Sequence, residues 1–270
     1  MSSDTGRIIV IGSLNVDLTT VIDRMPRPGE TVFGREFHLG FGGKGGNQAA
    51  AATKIAGASS GVAPIFIDTS GQNSILVVKG ANDHLSPEDV EAAAGVIESA
   101  GVLILQFEIP LATVYHALDL AHRCGVRTIV NPAPAAATDL SRLFKTDYLI
   151  PNETEAEALT GIAICDLETA RTSAARLVNS GFNRVIITLG DNGALFASKT
   201  ETYHLAAFPV HPVDTSGAGD AFIGSFAFGI SNGLTDREAI AGANIYAALS
   251  TTKSGTRRAF PTRAEWLRSL

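Results

Sequence analysis

Cysteine, tryptophan and long apolar runs are scarce in this chain. It has two cysteines and one tryptophan in 270 residues. Cys124 and Cys165 form no CxxC pair, which excludes a disulfide framework and a cysteine-rich zinc site. The six histidines (His38, His84, His116, His122, His204, His211) show no metal-ligand spacing. No apolar stretch approaches a membrane span, and the one near the N-terminus is too short for a signal segment. Basic charge is also short, with 21 Lys and Arg against 27 Asp and Glu and a net charge of −6. That leaves no basic stripe for nucleic acid. A GxSxG elbow and a GxxxxGK[ST] loop are missing too, so neither a serine hydrolase nor a P-loop phosphate site is indicated. The expectation is a cytoplasmic protein with no nucleic-acid or membrane partner.

What is present suits one α/β domain over residues 1–270, with 45% hydrophobic residues. Arg7 to Ile11 reads as a buried first strand. Asn15 to Val21 and Thr31 to Phe37 alternate polar and apolar residues, as half-exposed strands do. Val62 to Asp68 and Ser74 to Val78 form a second hairpin-like pair. Segments 15–37 and 61–78 are therefore expected to make a small β lid. Gly40 to Gly46 reads as a glycine loop and Asn47 to Ile55 as a helix. From Ser86 onward helices and strands alternate, which predicts right-handed βαβ units and a parallel sheet covered on both faces. Glu108, Asn131, Asn152 and Thr188 each follow a predicted strand, at the end where open α/β sheets bind ligands.

The most telling stretch is Val213-Asp214-Thr215-Ser216-Gly217-Ala218-Gly219-Asp220-Ala221-Phe222. A small-residue turn opens an apolar helix, whose free N–H groups and positive dipole attract anions. Asp220 would repel an anion there unless it takes a proton from a hydroxyl that attacks a phosphorus held by those amides. The plainer alternative is an Asp helix cap. Asn15 and Asp17 share one strand face and could hold vicinal hydroxyls, or simply be solvated. Asn152 and Glu155 have the spacing of a Mg²⁺-binding pair and equally of a capping box. Thr188, Gly190, Asp191 and Gly193 form a strand end and glycine turn, suited to a hairpin or a nucleotide contact. Gly40, Gly42 and Gly45 satisfy GxGxxG, with Asp68 as the acid further on. This keeps an NAD-dependent oxidoreductase open as an alternative.

Taken together these residues resemble the ribokinase or PfkB carbohydrate kinase family. The resemblance rests on Gly42-Gly43-Lys44-Gly45-Gly46-Asn47-Gln48-Ala49, Asn131-Pro132-Ala133-Pro134-Ala135, Asn152-Glu153-Thr154-Glu155, Thr188-Leu189-Gly190 and Asp214–Phe222, in family order over almost the whole chain. It implies a three-layer α/β/α sandwich with a β lid, and ATP-dependent phosphorylation of a sugar's primary hydroxyl, with D-ribose as the expected substrate. Asp220 would be the base and Gly217, Ala218 and Gly219 the anion hole. Asn15, Asp17, Gly43, Lys44, Asn47 and Glu108 would hold the sugar. Asn152, Thr188, Gly190, Asp191, Gly193, Gly219 and Asn244 would line the ATP side. Glu155 would hold Mg²⁺ through water. Asp214, Ser216, Ser250, Lys253, Gly255 and Ala259 would surround K⁺. Pairing of two lids would give a homodimer. After Gly57 the chain departs from the family by about one βαβ unit, ~30 residues. That departure predicts the loss of a core strand, a covering helix and part of the lid, with reduced stability. A sugar- or nucleotide-binding remnant without activity is the second alternative.

Overall fold

The strand Val102–Gln106 is apolar at four of its five positions and buried at all of them, so it must lie between two covering layers. The computed structural model describes residues 6–26, 32–54, 63–67, 73–75, 80–136 and 138–269. In chain order its strands are β1 (Ile8–Ile11), β2 (Asn15–Val21), β3 (Glu36–Gly42), β4 (Ala63–Ile67), β5 (Asn73–Ile75), β6 (Val102–Gln106), β7 (Arg127–Asn131), β8 (Tyr148–Leu149), β9 (Arg184–Thr188), β10 (Ala194–Ser198) and β11 (Thr202–Leu205). The helices are α1 (Lys44–Lys54), α2 (Pro87–Ala92), α3 (Ala94–Glu98), α4 (Leu111–Cys124), α5 (Glu153–Thr160), α6 (Leu167–Ser180), α7 (Ala218–Ser231), α8 (Asp236–Ser250) and α9 (Arg263–Leu267).

Seven strands form one sheet in the order β1-β6-β7-β8-β9-β10-β11. Pairing is parallel from β1 through β9 and antiparallel across β10 and β11. Alternate side chains of each strand enter different cores. Leu103, Leu105 and Val130 pack with α4, α5 and α6 residues such as Leu118, Ala156 and Leu177. Val102, Ile104 and Ile129 pack with α7 and α8 through Phe222, Phe226 and Ile240. Full burial of each such side chain contributes about 1.5–3 kcal/mol. This is the expected three-layer α/β/α sandwich.

The second sheet runs β3-β2-β4-β5 and forms the lid. Its bounds differ from the expectation. β3 does not start at Thr31, which lies outside the described residues, and it continues past Phe37 to Gly42. Seven successive pairs with β2, from Val21↔Glu36 to Asn15↔Gly42, carry the strand into the glycine segment. The strand then turns at Gly43 (φ 81°) straight into α1, which begins at Lys44 and not at Asn47. Glycines of the GxGxxG pattern are thus split between an antiparallel lid strand and a helix. A dinucleotide fingerprint needs a parallel strand at that point, so the NAD-dependent oxidoreductase reading loses its structural context.

β1 forms one edge of the large sheet, paired with β6 on one side and with no strand on the other among the described residues. The next strand after α1 is β4, in the lid, so the chain places no large-sheet strand between them among the described residues. The departure expected after Gly57 falls at residues 55–62, outside the described residues; among the described residues no strand pairs the backbone groups on the outer side of β1.

Candidate active site

Parallel strands end in polar residues that meet below the lid. Ser13 follows β1, Gln106 ends β6, Asn131 ends β7 and Thr188 ends β9. From the lid, β2 contributes Asn15 and Asp17, both buried. From the helical layer, α1 contributes Lys44, Asn47 and Gln48, and α7 contributes Asp220 in its first turn.

Asp220 is 6% exposed. Its Oδ2 accepts from Asn47 Nδ2 (2.9 Å) and its Oδ1 from Gln48 Nε2 (3.0 Å). Burial pushes its acidity weaker than an ordinary aspartate, against the pull of Lys44 and those two amide donors. A base with a raised pKa is better matched to proton transfer near neutral pH. Asp17 lies close by, and burial raises it to about 6, opposed by Arg257 and assisted by Asp220 and Glu108. Gly42 is glycine for this carboxylate, since a Cβ there would lie 2.0 Å from Asp17 Oδ1. The charge of Lys44 faces Asp220, Glu155 and Glu108, and those three acids raise its pKa against the cost of burial. Lys44 therefore stands between the expected sugar side and the expected nucleotide side.

The amides around Asp220 have forced orientations. Gln48 Oε1 accepts from Gln106 Nε2 (2.6 Å), so Gln48 Nε2 must face Asp220 and also Asn131 Oδ1 (3.3 Å). Asn131 Nδ2 then donates to Ile150 O (2.9 Å) and Glu155 Oε2 (3.2 Å). A continuous chain of hydrogen bonds thus joins Asp220 to Glu155. Glu108 Oε2 accepts from Ser13 Oγ and from the Lys44 N–H (2.9 Å), fixing the start of α1. Asn82 donates to Asn15 Oδ1 (2.9 Å) and to Leu14 O (3.2 Å).

The expected phosphate end is the start of α7. Gly217 caps it at φ 77°, a left-handed conformation that glycine adopts without strain. The Ala218 N–H turns back to Thr215 O (3.2 Å). Gly219 and Asp220 N–H make no backbone hydrogen bond among the described residues, and a Cβ at Gly219 would meet nothing within 4 Å. An anion can reach these amides.

On the expected ATP side, Asn152 and Glu155 form a complete capping box at the start of α5. Glu155 Oε2 is taken by Asn152 N–H (2.9 Å) and Asn131, while its other oxygen makes no hydrogen bond among the described residues. One free carboxylate oxygen is a hard donor that fits Mg²⁺ held through water. The helix cap therefore leaves one oxygen of the same side chain available for the expected metal role. Asn152 bridges to Thr188, and Gly190–Asn192 makes the tight turn of the β9–β10 hairpin, closed by Leu189 N–H to Gly193 O (2.8 Å). Asn244 on α8 donates to Leu205 O and Ala206 O, tying α8 to the end of β11. Asp191 is exposed on the turn.

Asp214 accepts from Ser216 N–H (2.9 Å) and Gly255 N–H (2.8 Å), which draws two loops together beside Gly217. Of the other residues expected around K⁺, Ser250 ends α8, Ala259 is buried on the following loop, and Lys253 Nζ points outward to Glu265 (3.0 Å). A buried carboxylate with loop backbone around it is a donor set that fits a monovalent cation. Among the described residues no three His, Cys, Asp or Glu side chains gather into a metal cage. A depression of about 730 Å³ on α6, lined by Arg171 and Arg176, includes none of the predicted site residues.

Comparison with known proteins shows the family and the fold. The pfkB family carbohydrate kinase profile matches residues 53–263. A deoxyribokinase of Salmonella typhi is 40% identical over 292 aligned positions, covering 94% of this chain and 95% of the relative. Those 292 positions exceed the 270 residues of this chain, so the relative carries residues that this chain lacks. The crystal structure of a Thermotoga maritima ribokinase superposes with a TM-score of 0.88 at 32% identity, covering 98% of this chain and 99% of that one. An Arabidopsis thaliana ribokinase complexed with ribose and ATP superposes with a TM-score of 0.86 at 27% identity, covering 98% of both. Fold and site together define a carbohydrate kinase. The chain belongs to the PfkB family, and within it is similar to ribokinases and a deoxyribokinase.

Proposed function

We propose that this chain transfers the γ-phosphoryl group of ATP to the primary hydroxyl of a pentose, D-ribose giving ribose 5-phosphate. The observation that carries the reading is Asp220, buried, close enough to Asp17 to act on its charge, and seated on the first turn of α7, where the Gly219 and Asp220 amides make no backbone hydrogen bond among the described residues. Asn15, Asp17, Gly43, Asn47 and Glu108 orient the sugar, with Asn82 fixing Asn15 and Ser13 fixing Glu108. Asp220 accepts the hydroxyl proton as the new O–P bond forms and the bond to the leaving ADP breaks. Gly217, Ala218 and Gly219 shape the hole, Gly219 and Asp220 amides face the developing charge, and Lys44 lies between the two substrates. Asn152, Thr188, Gly190, Asp191, Gly193 and Asn244 line the ATP side. Mg²⁺, held through water at Glu155, would neutralise phosphate charge, and K⁺ by Asp214, Ser216, Ser250, Lys253, Gly255 and Ala259 would strengthen the field at the hole. The similarity to a deoxyribokinase supports 2-deoxyribose as the second reading.

A coupled assay of ADP release with ribose, deoxyribose, fructose and a nucleoside, with and without K⁺, decides among these. Ribose is expected to give the highest kcat/KM. A preference for deoxyribose selects the second reading, and sugar binding with no ADP release establishes a binding remnant.

The lid bears on assembly. Phe37, Leu39 and Phe41 project from one face of β3 and are more than half exposed, opposite Thr20, Leu18 and Val16 of β2. A contiguous apolar face of this kind marks a contact surface. It is expected to pair with the same face of a second copy, giving a homodimer. Sedimentation velocity should show a dimer for the native chain and a monomer for Leu39→Lys. A monomeric native chain rejects the pairing.

A further inference from the structure

Arg257 lies on the loop between α8 and α9, 210 residues from Asn47, and is 8% exposed. Its Nη2 donates to Gly42 O (3.1 Å), at the end of the lid strand β3. Its Nε donates to Asn47 Oδ1 (3.4 Å), on the first turns of α1. The preceding residue, Thr256, donates to Phe41 O (3.3 Å), and Gly255 N–H holds Asp214 Oδ2 (2.8 Å). Three consecutive residues of one loop thus hold the lid, the sugar-side helix and the turn before the anion hole.

A side-chain amide can face either way until a partner decides. A guanidinium only donates, so Arg257 requires the Asn47 oxygen and turns the Asn47 NH₂ toward Asp220 (2.9 Å). Charge adds to geometry. Asp17 and Asp220 are the acids that Arg257 faces, and Asp17 faces Asp220 and Glu108 besides. Without the guanidinium, Asp17 would sit among like charges alone. A lysine cannot substitute fully, because a point charge does not reproduce the two directed bonds of the fork.

We propose that Arg257 is a positioning residue for the sugar half of the site, locking Asn47 onto Asp220 and supplying the countercharge that Asp17 and Asp220 share. The inference deepens the pentose-kinase reading and rests on it for its kinetic consequence. Arg257→Gln and Arg257→Lys, made in the full chain, test it. Arg257→Gln is expected to raise KM for the accepted sugar about tenfold or more, with KM for ATP within about twofold. Arg257→Lys, which retains the charge, should show the raised sugar KM as well.

A carboxyl-carbon NMR titration of Asp17 in the sugar-free protein gives a readout that needs no catalysis. Its midpoint, about 6 in the native chain, is expected to rise in Arg257→Gln and to stay in place in Arg257→Lys. An unchanged sugar KM in both variants, or an unmoved Asp17 midpoint in folded Arg257→Gln, overturns the proposal. If Arg257→Gln does not fold, a native sugar KM in Arg257→Lys overturns it. A native chain that phosphorylates no sugar defeats the kinase reading, and the Asp17 titration still decides the role of Arg257.

Discussion

Asp220→Asn is expected to lower kcat by roughly 10²–10⁴-fold, the usual contribution of a positioned general base. The substitution keeps the size of the side chain and its place on the first turn of α7, so the Gly219 and Asp220 amides stay available. It removes the ability to take a proton. It also brings an NH₂ against Asn47 Nδ2 or Gln48 Nε2, which now donate to the two carboxylate oxygens at 2.9 and 3.0 Å. Nucleotide affinity, measured by titration calorimetry with ADP, should stay within about threefold, because the proposed ATP contacts lie on Asn152, Thr188, Gly190 and Asn244. Substantial turnover by the purified variant would reject Asp220 as the base.

The second large effect should come from a residue that touches no substrate. Gly224 lies on α7 one turn beyond Asp220, where a Cβ would be 2.5 Å from Ala51 Cβ and 2.6 Å from Gln48 O. The two helices approach so closely that no side chain fits between them. Gly224→Val forces α1 away from α7, and α1 carries Lys44, Asn47 and Gln48. Overpacking of this kind costs about 1–3 kcal/mol, readable by urea denaturation. Activity should fall much further than stability at temperatures where the variant is still folded, since a displacement of about 1 Å at a catalytic group can cost 10²-fold. Gly95→Ala is the control, because a Cβ there meets nothing within 4 Å. A folded Gly224→Val protein with native kcat and KM would show that the α1–α7 spacing does not set the site.

Much of this arrangement was legible in the chain. The rhythm after Ser86 gave the parallel sheet because each βαβ unit is a local pattern. Asp220 stood out because a carboxylate beside a glycine turn and an apolar run has few uses. Asn152 and Glu155 were legible as a pair, although the spacing alone left cap and metal roles equal. The structure shows the cap, with one carboxylate oxygen in the box and the other unbonded among the described residues, which leaves room for the proposed metal role. The start of α1 was misplaced for a physical reason. Glycine disfavours helix interiors, yet Gly45 belongs to α1, because the helix lies so close to β1 that a Cβ there would be 2.5 Å from Gly12 C. Close packing overrode propensity.

Other parts left little or no local trace. Gln48 sits inside a motif but gave no sign that it bridges Asp220 to Asn131. Asn82 and Ser13 look like ordinary loop residues until they are found holding Asn15 and Glu108. Arg257 reads as one more charge in a basic tail segment, and only the folded chain brings it within reach of Asn47 and Gly42.

By itself the sequence determined the strand and helix rhythm, the glycine turn before α7, and the chemical types of the acid, lysine and amides. These follow from short-range preferences that each segment carries wherever it goes. Tertiary structure alone decided which amide end faces Asp220, which oxygen of Glu155 is left unbonded, and which cation balances Asp17. Those depend on groups brought together from tens to hundreds of residues apart, and hydrogen-bond direction and charge balance have no meaning until the partners meet.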